Sequence, residues 1–189
     1  MLEKIIDLDK KLLIYLNGLG SENFDGLWLI ITKQVYWTPI FLIIFYLLFK
    51  KIGWKNLLIV VVFIAFLILL CDQSANLFKN TVQRLRPCND PEINSLLRIV
   101  KTSSSFSFFS GHATNSMATA VFVFCIFRKY YKYALLLFLF PLIFAYSRIY
   151  LGLHFPIDVL TGYVFGATFG FIFYKIFVWL QKKYNLGLY

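Results

Sequence analysis

Acidic residues are scarce in this sequence: 9 Asp and Glu stand against 19 Lys and Arg in 189 residues, for a formal charge of +10. Cysteine is scarcer still. Cys71, Cys88 and Cys125 are odd in number and show no CxxC spacing, which argues against a full disulfide framework and a thiolate zinc site. Cys71 and Cys88 fall near one face of the expected fold, but the expectation is three unpaired, small apolar residues. Histidine occurs twice, at His112 and His154, and with few carboxylates in the surrounding loops a dedicated metal site is hard to assemble. No metal and no cofactor are expected. A secretory signal is also missing from the first twenty residues, where Glu3, Asp7 and Asp9 mix with Lys4, Lys10 and Lys11 and no uncharged apolar core follows.

What abounds is apolar surface. Hydrophobic residues make up 60% of the chain and mean hydropathy is +0.72, against roughly 45–50% apolar content in soluble domains, so the solvent is a bilayer. The 22 Phe, 12 Tyr and 4 Trp suit lipid better than a small aqueous core. The basic residues fall between hydrophobic spans, as Lys50, Lys51 and Lys55, then Arg128, Lys129 and Lys132, then Lys182 and Lys183. That placement fits cytoplasmic loops under the positive-inside rule and argues against nucleic acid.

The reading is one domain over 1–189, an all-α integral membrane protein. Residues 1–20 form an amphipathic interfacial helix, with Leu2, Ile5, Ile6, Leu12, Leu13 and Leu16 on its apolar side and Asp9 as the exception. About five transmembrane helices follow, near 24–49, 55–78, 110–127, 133–150 and 157–180, each close to the ~20 residues a span needs. Backbone amides in lipid must be satisfied internally, and the alternation of barrel strands is absent. With the basic clusters cytoplasmic, the loop 79–109 and residues 148–157 lie on the outer face. That loop carries Lys79, Arg84, Arg86, Arg98 and Lys101 against Asp90 and Glu92, a cationic excess for which an anionic ligand is the natural reason.

Three polar constellations sit in these connections. Lys79 and Arg86 are seven residues apart, on one face of a continuing helix that Pro87 ends, and two cations so placed suit an anion or lipid headgroups. Ser110-Gly111-His112 stands at a helix N-terminus, where Ser110 caps or donates, Gly111 allows close approach and free N–H groups favour an anion. Ser147-Arg148 precedes His154, with Pro156 opening a helix whose first turn carries Asp158. An imidazole near a carboxylate has its tautomer fixed and the charge that develops on attack stabilised; a helix-end acid paired with Arg148 is the structural alternative.

The ordered signature, Lys79-x6-Arg86-Pro87, Ser110-Gly111-His112 and Ser147-Arg148-x5-His154-x3-Asp158, resembles the membrane branch of the type-2 phosphatidic acid phosphatase superfamily. Phe109 stands where that family usually has proline. The resemblance implies that His154 attacks phosphorus to give a phosphohistidine, that Asp158 orients it, and that His112 protonates the departing oxygen and later activates water. It implies that Lys79, Arg86, Ser110, Gly111 and Arg148 hold the phosphoryl oxygens.

The function implied is a metal-independent lipid phosphate or diphosphate phosphatase of the cell inner membrane, with its site on the periplasmic face. Phospholipid, polyprenyl diphosphate and lipid A-type substrates all fit, including undecaprenyl diphosphate, phosphatidylglycerol phosphate and phosphatidate. A lipid phosphotransferase and a non-catalytic headgroup binder or transporter are the alternatives. The sequence leaves oligomeric state open. Asp72, Gln73 and Asn76 lie near the outer end of the second span, where Asp72 tunes Lys79, lines a headgroup cavity or pairs with a cation, and Lys33 is expected to snorkel. Trp28, Trp37, Tyr150 and Trp179 are expected in interface belts.

Overall fold

The computed structural model describes residues 2–187; the side chain of Leu2, expected on the apolar face of the first helix, lies outside the description. All regular structure among these residues is helical: α1 (Leu2–Gly18), α2 (Glu22–Ile31), α3 (Thr38–Val82), α4 (Gly111–Phe127), α5 (Leu139–Tyr150) and α6 (Pro156–Lys183), with short 3-10 turns between. The 45 residues of α3 would run to roughly 67 Å if straight, more than twice the ~30 Å of a hydrocarbon core. The helix breaks at Gly53, whose φ of 72° is open to glycine, and the break sits among Lys50, Lys51 and Lys55.

Two segments, Gln34–Asn89 and Pro156–Lys183, are long and apolar enough to cross a membrane; Gly111–Phe127 and Ala134–Tyr150 are apolar but shorter. Residues 24–49, expected as one stretch, are divided between α2, a 3-10 turn at Gln34–Trp37 and the first arm of α3. Helix α4 is central and touches α3, α5 and α6. Its Phe122 and Ile126 are buried with Leu48, Val60, Leu67 and Phe177 in the largest apolar cluster.

The contact between α4 and α6 fixes the geometry of one end of the bundle. On α6, Gly162, Gly166 and Gly170 recur every four residues and face Ser110, Thr114 and Ala118 of α4, so the two helices run in the same direction. A Cβ on Gly162 would stand 2.7 Å from the Ser110 carbonyl oxygen, and one on Gly166 would overlap the Thr114 carbonyl. Small residues that let backbones meet are the usual device for helix association in lipid. Because the helices are parallel, both N-termini, with their free N–H groups and positive dipole ends, arrive at the same place. The Ser110 amide donates to the Asp158 carbonyl at 3.1 Å there.

Helix α1 departs from a purely interfacial helix. Asp9, Leu13 and Asn17 form a buried stripe against the bundle, while Ile5, Ile6, Leu8 and Leu12 are exposed. Asn17 donates to the carbonyls of Arg98, Ile149 and Tyr150 and accepts from the Arg98 amide, which ties α1 to the end of α5. The three cysteines are free and buried. Tyr150, expected in an interface belt, is instead buried: its ring stacks on Trp28 at 5.0 Å and its hydroxyl lies within hydrogen-bond distance of two acceptors, the Ser21 carbonyl and the Asp25 carboxylate. Replacing Gly166 by Val is expected to force α4 and α6 apart at a cost of ~1–3 kcal/mol, read as a lower melting temperature in detergent and a smaller folded fraction.

Candidate active site

The short connection from α5 to α6 holds His154. Gly152 turns the chain at φ 75°, after which the Leu153 and His154 amides donate back to the Arg148 carbonyl at 2.9 and 3.3 Å. His154 is thereby pinned beside the end of α5 and is buried, with 1% of its surface exposed. Asp158, also buried, lies in the first turn of α6, and its Oδ2 accepts from the Phe155 amide at 2.9 Å and from the Ser107 hydroxyl. Its Oδ1 accepts from Arg84 Nη1 at 2.8 Å. His154 Nδ1 stands 3.4 Å from Asp158 Oδ2 and 3.3 Å from Ser107 Oγ.

The far ring nitrogen is equally constrained. His154 Nε2 lies 3.1 Å from Arg86 Nη1. A guanidinium can only donate, so Nε2 must present its lone pair and the proton belongs on Nδ1, toward Asp158 and Ser107. Burial pushes the His154 pKa down to about 4; the Asp158 hydrogen bond and charge oppose the shift, and Arg86 and Arg148 add to it. The imidazole is neutral at pH 7, in the tautomer whose Nε2 can act as a nucleophile.

Around that nitrogen gather three cations. Arg86 donates to the Ser105 carbonyl, the Ser105 hydroxyl and the Leu153 carbonyl, leaving one Nη2 hydrogen uncommitted beside its contact with His154. Arg148 is 6% exposed, donates through Nη1 to Thr32 at 2.7 Å, and has a buried Nε with no partner. Lys79 Nζ reaches to 4.0 Å from the point where a Cβ on Gly111 would stand, at the α4 N-terminus. Lys79, Arg86 and Arg148 interact electrostatically with one another, and none has a carboxylate in ion-pair contact among the described residues. Burying cations without an anion is costly, so this cluster is built to receive one.

Ser110 is fully buried and its Oγ accepts from the Ala113 amide, the N-cap of α4. His112 follows in the first turn, its ring stacked on Phe144 at 5.1 Å, within electrostatic reach of Arg148, His154, Lys79 and Arg86. Phe109, in place of the usual proline, is fully buried and stacks on Phe165 of α6 at 4.8 Å, so the turn before Ser110 is held by ring packing.

Four contributors escaped sequence reasoning. Ser107 links Asp158 to His154 from the middle of a serine-rich stretch. Thr32 orients Arg148. Arg84 bridges Asp158 and Asp9, donating Nη2 to Asp9 Oδ2 at 2.7 Å, and lies over the Phe155 ring at 3.6 Å. Asp9 also accepts from the Ile157 amide at 2.9 Å, capping the start of α6 from another helix. Burial pushes the Asp9 carboxyl up, and the bonds from Arg84 and Ile157 oppose that shift. Its place on the otherwise apolar side of α1 was the available signal. Part of the loop's cationic excess is likewise matched by carboxylates outside the loop, since Arg84 pairs with Asp9 and Asp158 and Arg98 with Asp25.

In overall form the chain superimposes on the crystal structure of a transmembrane PAP2-type phosphatidylglycerolphosphate phosphatase from Bacillus subtilis, with TM-score 0.69 at 20% identity over 92% of this chain and 86% of that one. It is 39% identical to a lipid A 4'-phosphatase from Bacteroides thetaiotaomicron over 93% of this chain and 80% of the relative. It is 30% identical to a lipid A 4'-phosphatase from Porphyromonas gingivalis over 97% and 78%. Fold, site and relatives together define a membrane-bound phosphatase. The chain belongs to the PAP2 superfamily, whose family model matches residues 54–182.

With only two histidines in the chain, ring nitrogen resonances are readable directly. In tag-free protein labelled with 15N-histidine, the His154 ring is expected to keep the neutral Nδ1–H pattern from pH 7 down to about 4. A midpoint near the ordinary 6.5 would contradict the burial argument.

Proposed function

We propose that the protein removes phosphate from a lipid phosphate monoester of the lipid A type, at the extracytoplasmic leaflet, through a phosphohistidine on His154. The observation that carries the reading is the buried Nε2 lone pair of His154 turned to Arg86, one of three clustered cations with no carboxylate in ion-pair contact among the described residues. A binder or transporter needs the cations but not a neutral imidazole backed by a buried carboxylate, which favours the enzyme.

In this mechanism Nε2 attacks phosphorus as the ester P–O bond breaks, and the Nδ1 proton, held by Asp158 and Ser107, stabilises the charge that develops on the ring. Arg86 surrenders its contact with Nε2 and turns the same Nη1 to the phosphoryl group. Lys79, Arg148, the Ser110 hydroxyl and the Gly111 amide complete the cradle. The transition state is loose, with charge on its equatorial oxygens, so fixed donors at ~1.5–3 kcal/mol each account for much of the barrier reduction. Bound phosphate favours the protonated form of His112, which gives its proton to the departing oxygen. His112 then takes a proton from the water that attacks the phosphohistidine, and inorganic phosphate leaves as the N–P bond breaks.

A lipid substrate is supported by a cavity of about 760 Å³ between α3, α4 and α5. Its walls include Phe41, Phe45, Val123, Phe140 and Phe144, and Phe144 is the residue on which His112 stacks, so the apolar space begins where the reacting group ends. The names of the two lipid A 4'-phosphatase relatives favour a phosphorylated glycolipid over the other lipids considered. Five crossings are proposed: the two arms of α3, α4, α5 with the 3-10 turn before it, and α6. The basic clusters support the leaflet assignment, because Lys51 lies over Tyr131 and Lys129 interacts with Lys182, which gathers them away from the site.

Phosphate release from purified lipid phosphates tests the reading. His154→Ala is expected to abolish turnover while the protein still folds, and undiminished release in that variant would refute the mechanism. His112→Ala is expected to lose far more rate on alkyl or sugar phosphates than on activated aryl phosphates, because only the former need protonation of the leaving oxygen.

A further inference from the structure

Two turns down α3 from Lys79, a carboxylate stands where the phosphate chemistry does not use it. Asp72 is exposed on the stripe that continues through Ala75 to Lys79, roughly 10 Å along the axis from the cradle. Across from it on α4, Asn115 Nδ2 donates to Asp72 Oδ1 at 2.7 Å. A carboxylate only accepts, so this contact fixes the amide orientation and turns Asn115 Oδ1 away. That oxygen is buried with no hydrogen-bond partner. Asn115 also lines the apolar cavity, one turn beyond His112 on the same helix. The pair therefore stands between the phosphate cradle and the space for the lipid's tail, the position of whatever chemical group carries the phosphate.

A carboxylate at a membrane-spanning position is costly unless it serves a ligand or a water-filled path. Asp72 interacts with Lys79 electrostatically but forms no ion pair with it among the described residues. Resting on the phosphatase reading above, we propose that Asp72 and Asn115 form a specificity subsite that accepts hydrogen bonds from the hydroxyl and amide N–H groups of a sugar headgroup bearing the phosphate. Asp72 Oδ2 is the acceptor open to the headgroup, and Asn115 holds the carboxylate in place. The same charge selects against diphosphates. When a polyprenyl diphosphate is attacked at its terminal phosphorus, the leaving group is itself an anionic phosphate and would lie against Asp72. A sugar hydroxyl leaving group is neutral once protonated and brings donors with it. A site that hydrogen-bonds its substrate's donors discriminates strongly against analogues lacking them, and like charge adds to the rejection.

The test compares kcat/KM for an acylated glucosamine disaccharide 4'-phosphate and a polyprenyl diphosphate in one detergent. Asp72→Asn keeps the side chain's size but removes its charge. It is expected to lower the value for the sugar phosphate roughly tenfold, mainly through KM, and to raise it for the diphosphate. Asp72→Glu, which keeps the charge but displaces it by one methylene, is expected to lose sugar phosphate turnover while still rejecting the diphosphate, and serves if the Asn variant folds poorly. Parallel changes on both substrates in both variants would overturn the proposal, as would a wild-type preference for the diphosphate. His154→Ala, assayed alongside, separates the two readings. Turnover surviving in that variant counts against the phosphohistidine mechanism, whereas a wild type that needs His154 but shows no dependence of selectivity on Asp72 counts against the subsite alone.

Discussion

A buried carboxylate has to be neutralised by its surroundings, and the placement of Asp158 organises this end of the molecule. With none of its surface exposed, it draws in the Phe155 amide of its own helix, Ser107 and Arg84 from the long loop, and the imidazole of His154. Arg84 carries the same demand outward to Asp9, which in turn holds the Ile157 amide and so fastens α1 to the start of α6. Four segments far apart in sequence are thus tied by one charge. Removing one partner of such a network leaves the others buried and unmatched, which is why it specifies a single arrangement.

The opposite condition holds a few ångströms away. Lys79, Arg86 and Arg148 are gathered, with no carboxylate in ion-pair contact among the described residues, at the joint N-termini of two parallel helices, where backbone dipoles add to the positive potential. The parallel course of α4 and α6 depends in turn on Gly162, Gly166 and Gly170, which bring Ser110 and Asp158 into backbone contact. One side of His154 is held by a satisfied anion and the other faces unsatisfied cations. The imidazole is therefore oriented by the first and aimed by the second.

Much of this was legible in the sequence because each motif carried its own chemistry. The all-helical fold followed from apolar content, and His112, His154, Asp158, Lys79, Arg86 and Arg148 were singled out from spacing and residue type. The structure places them within electrostatic reach of one another, although α3 ends at Val82 and Arg86 arrives on the extended chain beyond it, not on the helix face expected from its spacing to Lys79. The missing parts are those set by tertiary approach. Ser107 lies among several serines, and nothing local distinguishes the one that meets Asp158. Arg84 read as one more cation in a basic loop, whereas its partners lie 75 residues before it and 74 after it. Asp9 was visible as a break in an amphipathic face, but only the packed helix reveals that the face turns toward the bundle. The division of residues 24–49 at Thr32 and Lys33 was hidden because hydropathy averages the short polar run Thr32-Lys33-Gln34 into the apolar residues on either side.

The phosphohistidine mechanism requires that His154 Nε2 become covalently bonded to phosphorus. Rapid quenching of the enzyme with a lipid phosphate labelled in its phosphoryl group, followed by peptide mapping by mass spectrometry under alkaline conditions, tests it directly. An acid-labile, base-stable phosphate on the peptide carrying His154, absent from His154→Ala and accumulating in His112→Ala when the leaving group is activated, is the result expected. Full turnover with no label on that peptide under any quench would contradict it.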